Sequence, residues 1–143
     1  MEVLIRNFEI SDYEEVINLW QLDNLPLKLK GRDNRAQLEQ QIKLDQVIFL
    51  VAEKGNRIIG TVLATHDGRK GWINRLAVHP DLRRQGLGTL LIKRAEEELR
   101  KKGLLLVAAL IEEHNSASID LFIQLGYEPH PEIKYFKKKN FPE

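Results

Sequence analysis

The heptapeptide Arg83-Arg84-Gln85-Gly86-Leu87-Gly88-Thr89 separates an apolar, strand-like run, Trp72 to Val78, from a long amphipathic segment. Its glycines let the backbone approach a ligand closely, and the first N–H groups of a following helix have no partners within that helix. Such a turn favours an anion such as a pyrophosphate, to which Arg83 or Arg84 could add a charged contact. The same spacing allows a second interpretation, in which the two glycines only let the helix pack closely on a sheet.

Two other phosphate-binding patterns are excluded. A dinucleotide-binding fingerprint needs a third glycine where Leu91 stands, and a P-loop needs a Gly-Lys-Ser/Thr sequence that the chain does not contain. The absence of cysteine excludes a disulfide framework, a thiolate metal site and a cysteine nucleophile. We therefore expect no metal, and chemistry that rests on other side chains and on the backbone.

Length and composition predict one soluble domain spanning residues 1–143, with 43% apolar and 30% charged residues. The net charge of +1 and the short basic clusters argue against a nucleic-acid partner. The longest apolar run, Leu104 to Ile111, is far shorter than the roughly 18 residues of a membrane helix, so we expect no membrane partner. Met1-Glu2-Val3 leads directly into a strand-like segment, which predicts no secretory signal and a cytoplasmic location.

The N-terminal half predicts a strand, two helices and an antiparallel meander. Ser11 with Glu14 has the spacing of a capping box, and the helix after it should bury Tyr13, Val16, Ile17 and Trp20. A loop or a broken helix at 23–34 should precede a helix at about 35–44. The strands Val47–Ala52 and Arg57–Ala64 should form a hairpin around Gly55-Asn56 and lead to the strand Trp72–Val78.

The C-terminal half predicts a parallel crossover. One helix should bury Leu87, Leu90, Leu91, Ala95 and Leu99 and end at Gly103, and Leu104–Leu110 should follow as a buried strand. Asn115 can cap a last helix that turns Ile119, Phe122, Ile123 and Leu125 inward and stops at Gly126, before a strand at Ile133–Lys138. A strand, a helix and a second strand form a βαβ unit. The fold class is therefore α/β in three layers, with a mixed, mostly antiparallel sheet.

Two segments of the sequence resemble motifs of the GNAT acetyltransferases. Trp72 to Pro80 followed by Arg83 to Gly88 is similar to the family's strand L-x-V-x-P and turn Q/R-x-x-G-x-G/A. Asn115 to Tyr127 is similar to the family's N-x-x-A-x-x-L-Y-x-x-x-G-F/Y helix. The resemblance implies the GNAT acyltransferase fold, with acetyl-CoA lying in the gap between two splayed parallel strands.

For single residues, the resemblance first implies how acetyl-CoA, the acetyl donor, would bind. Backbone N–H groups of the turn would hold the CoA pyrophosphate, and Leu76, Ala77 and Val78 would line the pantetheine arm. Asn115 would reach that arm as well as capping its helix, and Ser118 would lie near the sulfur. The residues implied in donor binding are thus Leu76, Ala77, Val78, Arg83, Arg84, Gln85, Gly86, Leu87, Gly88, Thr89, Asn115 and Ser118.

Acetyl transfer to an amine also needs a base and, for the leaving thiolate, an acid. An amine with a pKa of about 10.4 must lose a proton, for which the loop residues Glu112, Glu113 and His114 are candidates. The family's usual tyrosine acid corresponds to Phe122, which cannot donate a proton. Ser118, a bound water or the phenols of Tyr127 and Tyr135 remain as alternatives, although core or strand positions suit the two tyrosines better.

The acceptor should be a small-molecule or peptide amine. Trp72, Asn74 and Arg75, on the central strand, are candidates to orient it. The leading hypothesis is an N-acetyltransferase that uses acetyl-CoA in a ternary complex with a primary amine. With phenylalanine at the acid position, an acetyl-CoA sensor with little turnover is the alternative, and a homodimer is left open. An unrelated nucleotide-binding domain would not explain the motif at 115–127.

Overall fold

A computed structural model describes residues 2–140, in which five strands form one open sheet in the order β1-β2-β3-β4-β5. The strands are β1 (Leu4–Asn7), β2 (Val47–Lys54), β3 (Arg57–His66), β4 (Gly71–Val78) and β5 (Val107–Ala109). The helices are α1 (Tyr13–Leu22), α2 (Arg35–Gln41), α3 (Leu87–Lys101) and α4 (Ser116–Gln124). Short 3-10 turns at Ile10–Asp12 and Pro80–Leu82 precede α1 and α3.

Strand pairing confirms the predicted mixed sheet. The first four strands pair antiparallel in sequence order, and β4 and β5 pair parallel across the crossover helix α3. The β2–β3 hairpin closes through Gly55 and Asn56, with φ values of 56° and 65°. Both residues need positive φ for such a two-residue turn, as the sequence predicted.

The helices divide between the two faces of the sheet and confirm three layers. On one face α1 and α2 bury Trp20 and Leu38 against Phe49, whose ring stacks on Phe8 at 4.2 Å between centroids. On the other face α3 and α4 enclose a second core with β2 to β4, in which Leu91 and Leu99 are fully buried. The sheet therefore has no solvated face over its central strands.

Two N-terminal predictions need adjustment and a third is confirmed. The capping contact lies two residues earlier than expected, because the carboxylate of Asp12 accepts the N–H of Glu9 at 2.8 Å while Ser11 falls inside the 3-10 turn. Helix α2 ends at Gln41 rather than residue 44. The predicted buried side chains of α1 are all buried, and Leu19 joins them.

Several predictions for the C-terminal half are wrong for residues that the structure leaves exposed. Leu90 is 46% exposed and Ile92 takes its place in the core, and Ile123 is 49% exposed although Phe122 beside it is buried. The strand predicted at Leu104–Leu110 does form, but only over Val107–Ala109, and its residues are half-buried rather than buried. The strand predicted at Ile133–Lys138 does not form, and every residue from 128 to 140 is exposed. Both segments lie at or beyond the end strand, and among residues 2–140 no further strand pairs with them.

An irregularity in β4 shapes the region beside β5. Arg75 pairs with Leu63 and Ile73 with Ala64, which leaves Asn74 as one extra residue in β4. A bulge of this kind bends the strand and increases its twist. Its effect on side chains is that Ile73, Leu76 and Val78 all face the α3 core, whereas Ala77 faces α1.

Candidate active site

The two glycines in the turn before α3 have different structural reasons. Arg84 and Gly86 have φ values of 65° and 81°, and Gly86 directly precedes the helix. A side chain at Gly86 would meet no atom within 4 Å, so packing does not require glycine there, whereas a Cβ at Gly88 would come within 3.0 Å of Leu121. Gly88 therefore serves helix packing. Gly86 has the left-handed backbone that glycine adopts most readily, and anion binding by the N–H groups of this turn stays a prediction.

A gap opens between β4 and β5 next to this turn. The two strands pair only from Gly71 with Val107 to Ile73 with Ala109, although β4 continues to Val78. The pairing stops at the bulged residue Asn74. The predicted splaying of two parallel strands is thus present.

Backbone donors of β4 point into this gap. The N–H of His79 donates to the carbonyl of Ile59 at 2.8 Å, which fixes it toward β3. Alternate residues of a strand direct their N–H groups to opposite edges, so those of Val78 and Leu76 face the β5 side. A ligand that lies in the gap as an extra strand would find these two donors on β4.

The gap continues into an open cleft of about 200 Å³. One wall is the loop between α1 and α2, and the other is formed by β4, the end of β5 and the start of α4. The lining residues are Leu25, Pro26, Arg32, Ile73, Asn74, Arg75, Leu76, Ala109, Leu110, Ile111, Glu112, Asn115, Ser118 and Phe122.

The cleft separates the predicted catalytic candidates. All three loop residues are exposed, but only Glu112 lines the cleft, and Glu113 and His114 lie outside it. Ser118 lines it too, and its N–H donates to the side-chain oxygen of Asn115 at 3.2 Å, which confirms Asn115 as the helix cap. The sequence alone gave Glu112 and Glu113 equal weight because both stand in one loop.

The aromatic candidates divide in the same way. Phe122 lines the cleft while only 4% exposed. Tyr127 packs edge-on against its ring at 4.8 Å, and its hydroxyl donates to Glu96 at 2.6 Å. Burial, with the bond to Glu96, raises the pKa of Tyr127 well above its usual value. Tyr127 is therefore a core residue, and Tyr135 lies in the exposed segment 128–140.

Two predicted binding residues lie elsewhere. Trp72 pairs with Ala108 near the start of β4, outside the cleft, and the ammonium of Lys70 lies 4.4 Å from its ring. The side chain of Ala77 is buried toward α1, and by the alternation of the strand its backbone faces β3, so neither lies on the donor side. Asn74 does line the cleft and donates to the hydroxyl of Thr65 at 2.8 Å.

Arg75 lines the cleft, but its guanidinium is bound to the loop between α1 and α2 that forms one wall. Its guanidinium lies 3.2 Å from the carboxylate of Asp33, donates to the carbonyl of Pro26 at 3.0 Å and lies 4.5 Å from the ring of Trp20. Asp33 also accepts the N–H of Lys28 at 2.8 Å. Burial lowers the pKa of Arg75 and the charge of Asp33 opposes this shift. Sequence reasoning missed this pair because its members are 42 residues apart.

Asp23 is a second residue that the sequence did not single out. It follows the last turn of α1, and its carboxylate contacts the guanidinium of Arg83 and accepts a hydrogen bond from the N–H of Val78. Burial raises the pKa of Asp23 although both contacts oppose the shift. An acid side chain thus bridges the turn and the open edge of β4, the two places that would hold a CoA molecule.

Within residues 2–140, no group of three or more histidine, aspartate or glutamate side chains is placed to hold a metal ion. None of the helices described in that range is long and apolar enough to cross a membrane.

Comparison with known proteins gives a consistent result. Residues 13–127 match the acetyltransferase (GNAT) family. An acetyltransferase of Yersinia enterocolitica is 36% identical over 134 residues, which cover 94% of both chains. The PaiA N-acetyltransferase of Thermoplasma acidophilum, solved with coenzyme A, has a TM-score of 0.80 at 21% identity over 90% of this chain and 91% of that one. AAC(6')-Iy, solved with a bisubstrate analogue, has a TM-score of 0.78 at 20% identity over 97% and 99%.

Proposed function

The chain belongs to the GNAT acetyltransferase family, and on this premise we propose that it transfers the acetyl group of acetyl-CoA to a primary amine within a ternary complex. The observation that carries the proposal is the gap between β4 and β5 beside the N-terminus of α3. One end of the gap meets the anion-favouring turn, and the other opens into the cleft that contains Glu112.

The turn and the strand edge suit different parts of the donor. Backbone N–H groups from Arg84 to Thr89 would hold the pyrophosphate, with Arg83 as a charged neighbour. The N–H groups of Leu76 and Val78 lie on the edge of β4 beside the gap, along which the amide-containing pantetheine arm would lie. Asn115 and Ser118, on the far side of the cleft, would approach the thioester end.

Acetyl-CoA supplies a thioester whose carbon–sulfur bond breaks as the amine nitrogen bonds to the carbonyl carbon. Glu112, at the cleft, is the residue we assign to take the proton from the amine. A backbone N–H on the open edge of β4 would polarise the carbonyl without a side chain. Leu76 suits this role better than Val78, because the N–H of Val78 already bonds to Asp23.

The proton for the leaving CoA thiolate has to come from a group other than the side chain of Phe122. Phe122 stands where the family's tyrosine is expected, and Ser118 is the hydroxyl that shares the cleft with it. A CoA-type thiol with a pKa near 8.5 is a fair leaving group even without a strong acid. The enzyme is therefore expected to work, at a rate below that of a relative with tyrosine at this position.

The buried phenyl ring of Phe122 also favours a second candidate function, an acetyl-CoA sensor with little turnover. Free thiol release separates the two. A panel of small-molecule and peptide amines should give at least one acceptor whose addition releases thiol from acetyl-CoA. If every amine leaves the thiol signal at its background while acetyl-CoA still binds, the sensor is the better description.

Donor binding has its own test, the rise in melting temperature that a ligand of the native state produces. Gly86→Val should abolish the rise given by CoA, because a side chain at a φ of 81° strains the turn that holds the phosphates. Gly68→Val is the matched control, since Gly68 has a φ of 85° and equally open surroundings but lies in the β3–β4 turn. A CoA shift that survives in Gly86→Val would place the phosphates elsewhere.

A further inference from the structure

Asp23 bridges the proposed CoA site, which consists of the turn at residues 83–89 and the open edge of β4. It follows the last turn of α1, and its side chain is 15% exposed. Its carboxylate forms an ion pair with the guanidinium of Arg83, 60 residues further along the chain. It also accepts a hydrogen bond from the N–H of Val78. One acid thus contacts both the turn proposed for the pyrophosphate and the edge proposed for the pantetheine arm.

Asp23 and a bound CoA molecule compete for these two groups. A backbone amide has one N–H to donate, so a hydrogen bond from Val78 to the carboxylate takes the place of one to a carbonyl of the pantetheine arm. The positive charge of Arg83 is likewise compensated by Asp23, and a carboxylate beside a pyrophosphate repels it because both are negative. The contacts that Asp23 makes therefore oppose the binding of CoA.

These contacts are ones that a ligand is able to replace. The side chain of Arg83 is 51% exposed, and an ion pair with an exposed partner contributes little to stability. The backbone of Asp23 is held separately, because its N–H donates to the carbonyl of Leu19 at 3.0 Å. Rotation of one side chain is then enough to release Arg83 and the N–H of Val78, while the end of α1 stays in place.

We propose that Asp23 determines the affinity for the acetyl donor, as a side chain that acetyl-CoA displaces from Arg83 and from the N–H of Val78 when it binds. The inference rests on the CoA site of the proposed function and adds to it a competitor within the chain itself. The apparent affinity of a ligand falls by the fraction of protein that is competent to bind it. If Asp23 is engaged in about nine of ten molecules or more, its removal should tighten CoA binding about tenfold or more.

The first test needs no ligand and measures whether Asp23 protects the edge of β4. In Asp23→Ala the amide of Val78 should exchange its hydrogen about tenfold faster than in wild type or more, because the acceptor of its hydrogen bond is removed. The amide of Leu76 lies on the same edge and is the internal control, whose exchange rate should not change. Equal exchange at Val78 in the two proteins overturns the inference.

The second test measures CoA affinity by titration calorimetry. Asp23→Ala should bind CoA about tenfold more tightly than wild type or better. Asp23→Asn retains the shape of the side chain without its charge and should also bind CoA more tightly than wild type. This direction is diagnostic, because a variant that merely damaged the site would bind CoA more weakly.

Asp81→Ala is the matched control for the loss of a negative charge near the turn. Asp81 stands in the 3-10 turn before Arg83, but it is 87% exposed and lies beside His79 instead. Since solvent screens an exposed charge, the CoA affinity of Asp81→Ala should stay within about twofold of wild type. An equal gain in Asp81→Ala and Asp23→Ala would mean that net charge alone sets the affinity, which overturns the inference.

The remaining outcomes separate the inference from the function on which it rests. If wild type binds CoA and Asp23→Ala binds it equally or more weakly, the inference is wrong and the CoA site stands. Weaker binding would show that Asp23 orients Arg83 for the phosphates. If neither wild type nor any variant binds CoA, the proposed CoA site is wrong and the inference falls with it. Melting temperatures check the fold, and Asp23→Asn decides both tests if Asp23→Ala does not fold.

Discussion

Arg75→Met tests whether the cleft wall depends on one buried ion pair. The side chains of Arg75 and Asp33 are 10% and 4% exposed. Removing the arginine leaves a buried carboxylate with the N–H of Lys28 but without its cation. Removing one partner of a buried pair typically costs about 3–5 kcal/mol. Methionine retains much of the apolar stem over Trp20, so the lost charge should dominate.

A matched variant isolates the effect of burial. Arg35 also contacts a carboxylate, that of Glu14 at 3.9 Å, and also lies over an aromatic ring, that of Tyr13 at 5.6 Å. Here the two charged side chains are 52% and 82% exposed, and exposed pairs contribute at most about 1 kcal/mol. Arg35→Met should therefore be nearly neutral while Arg75→Met is not.

Thermal unfolding and limited trypsin digestion together give the answer. At about 3 °C per kcal/mol for a chain of this size, Arg75→Met should melt about 10 °C or more below wild type. Trypsin should cut faster after Lys28 or Lys30, because Arg75 no longer ties the loop to the sheet. If both arginine variants melt within about 3 °C of wild type and the loop is cut no faster, the pair does not hold the wall.

Three further outcomes follow from the site and from the N-terminal strand. Glu112→Gln should lower kcat by about 10²-fold or more with unchanged CoA affinity, while Glu113→Gln should leave kcat unchanged. Full activity in both single variants and in the double variant would show that this loop takes no part in proton transfer. Phe122→Tyr should raise turnover by less than about 10²-fold, most strongly below about pH 8, and identical pH–rate profiles would mean that protonation of the sulfur does not limit the rate. Arg6 holds the pKa of Asp12 below its usual range, so the stability from this pair is present above about pH 4 and lost as the pH falls through the folded pKa. Asp12→Asn should thus cost about 1 kcal/mol in urea unfolding at pH 7, and a difference that persists at pH 2 would contradict that assignment.

Local signals in the sequence predicted the helices and strands whose ends are marked by turn or capping residues. Gly55-Asn56 marked the hairpin, Asn115 and Gly126 bounded α4, and the period of α3 was strong enough to place its core face. The turn at residues 83–89 and the order of the strands around it were predictable for the same reason. Each of these depends on residues within one or two turns of chain.

The features that the sequence did not predict depend on contacts between residues that are far apart in the chain. Leu104–Leu110 reads as a buried strand because composition cannot distinguish a central strand from an end strand. The contact of Arg75 with Asp33 and that of Asp23 with Arg83 join distant parts of the chain without any local pattern. Glu112 differs from Glu113 only in which way the loop turns after β5. The bulge at Asn74 leaves no mark in composition, although the opening beside β5 begins there.

That bulge allows the shape of the site to be separated from its chemistry. Deleting Asn74 would retain Leu63 opposite Arg75 and Ala64 opposite Ile73, and it would keep Leu76 and Val78 facing α3. Every cleft side chain except that of Asn74 itself would keep its neighbours across β3, while the bend would disappear. The deletion would thus show whether the bend of β4, rather than the course of the chain after Ala109, keeps the two strands apart beyond Ile73.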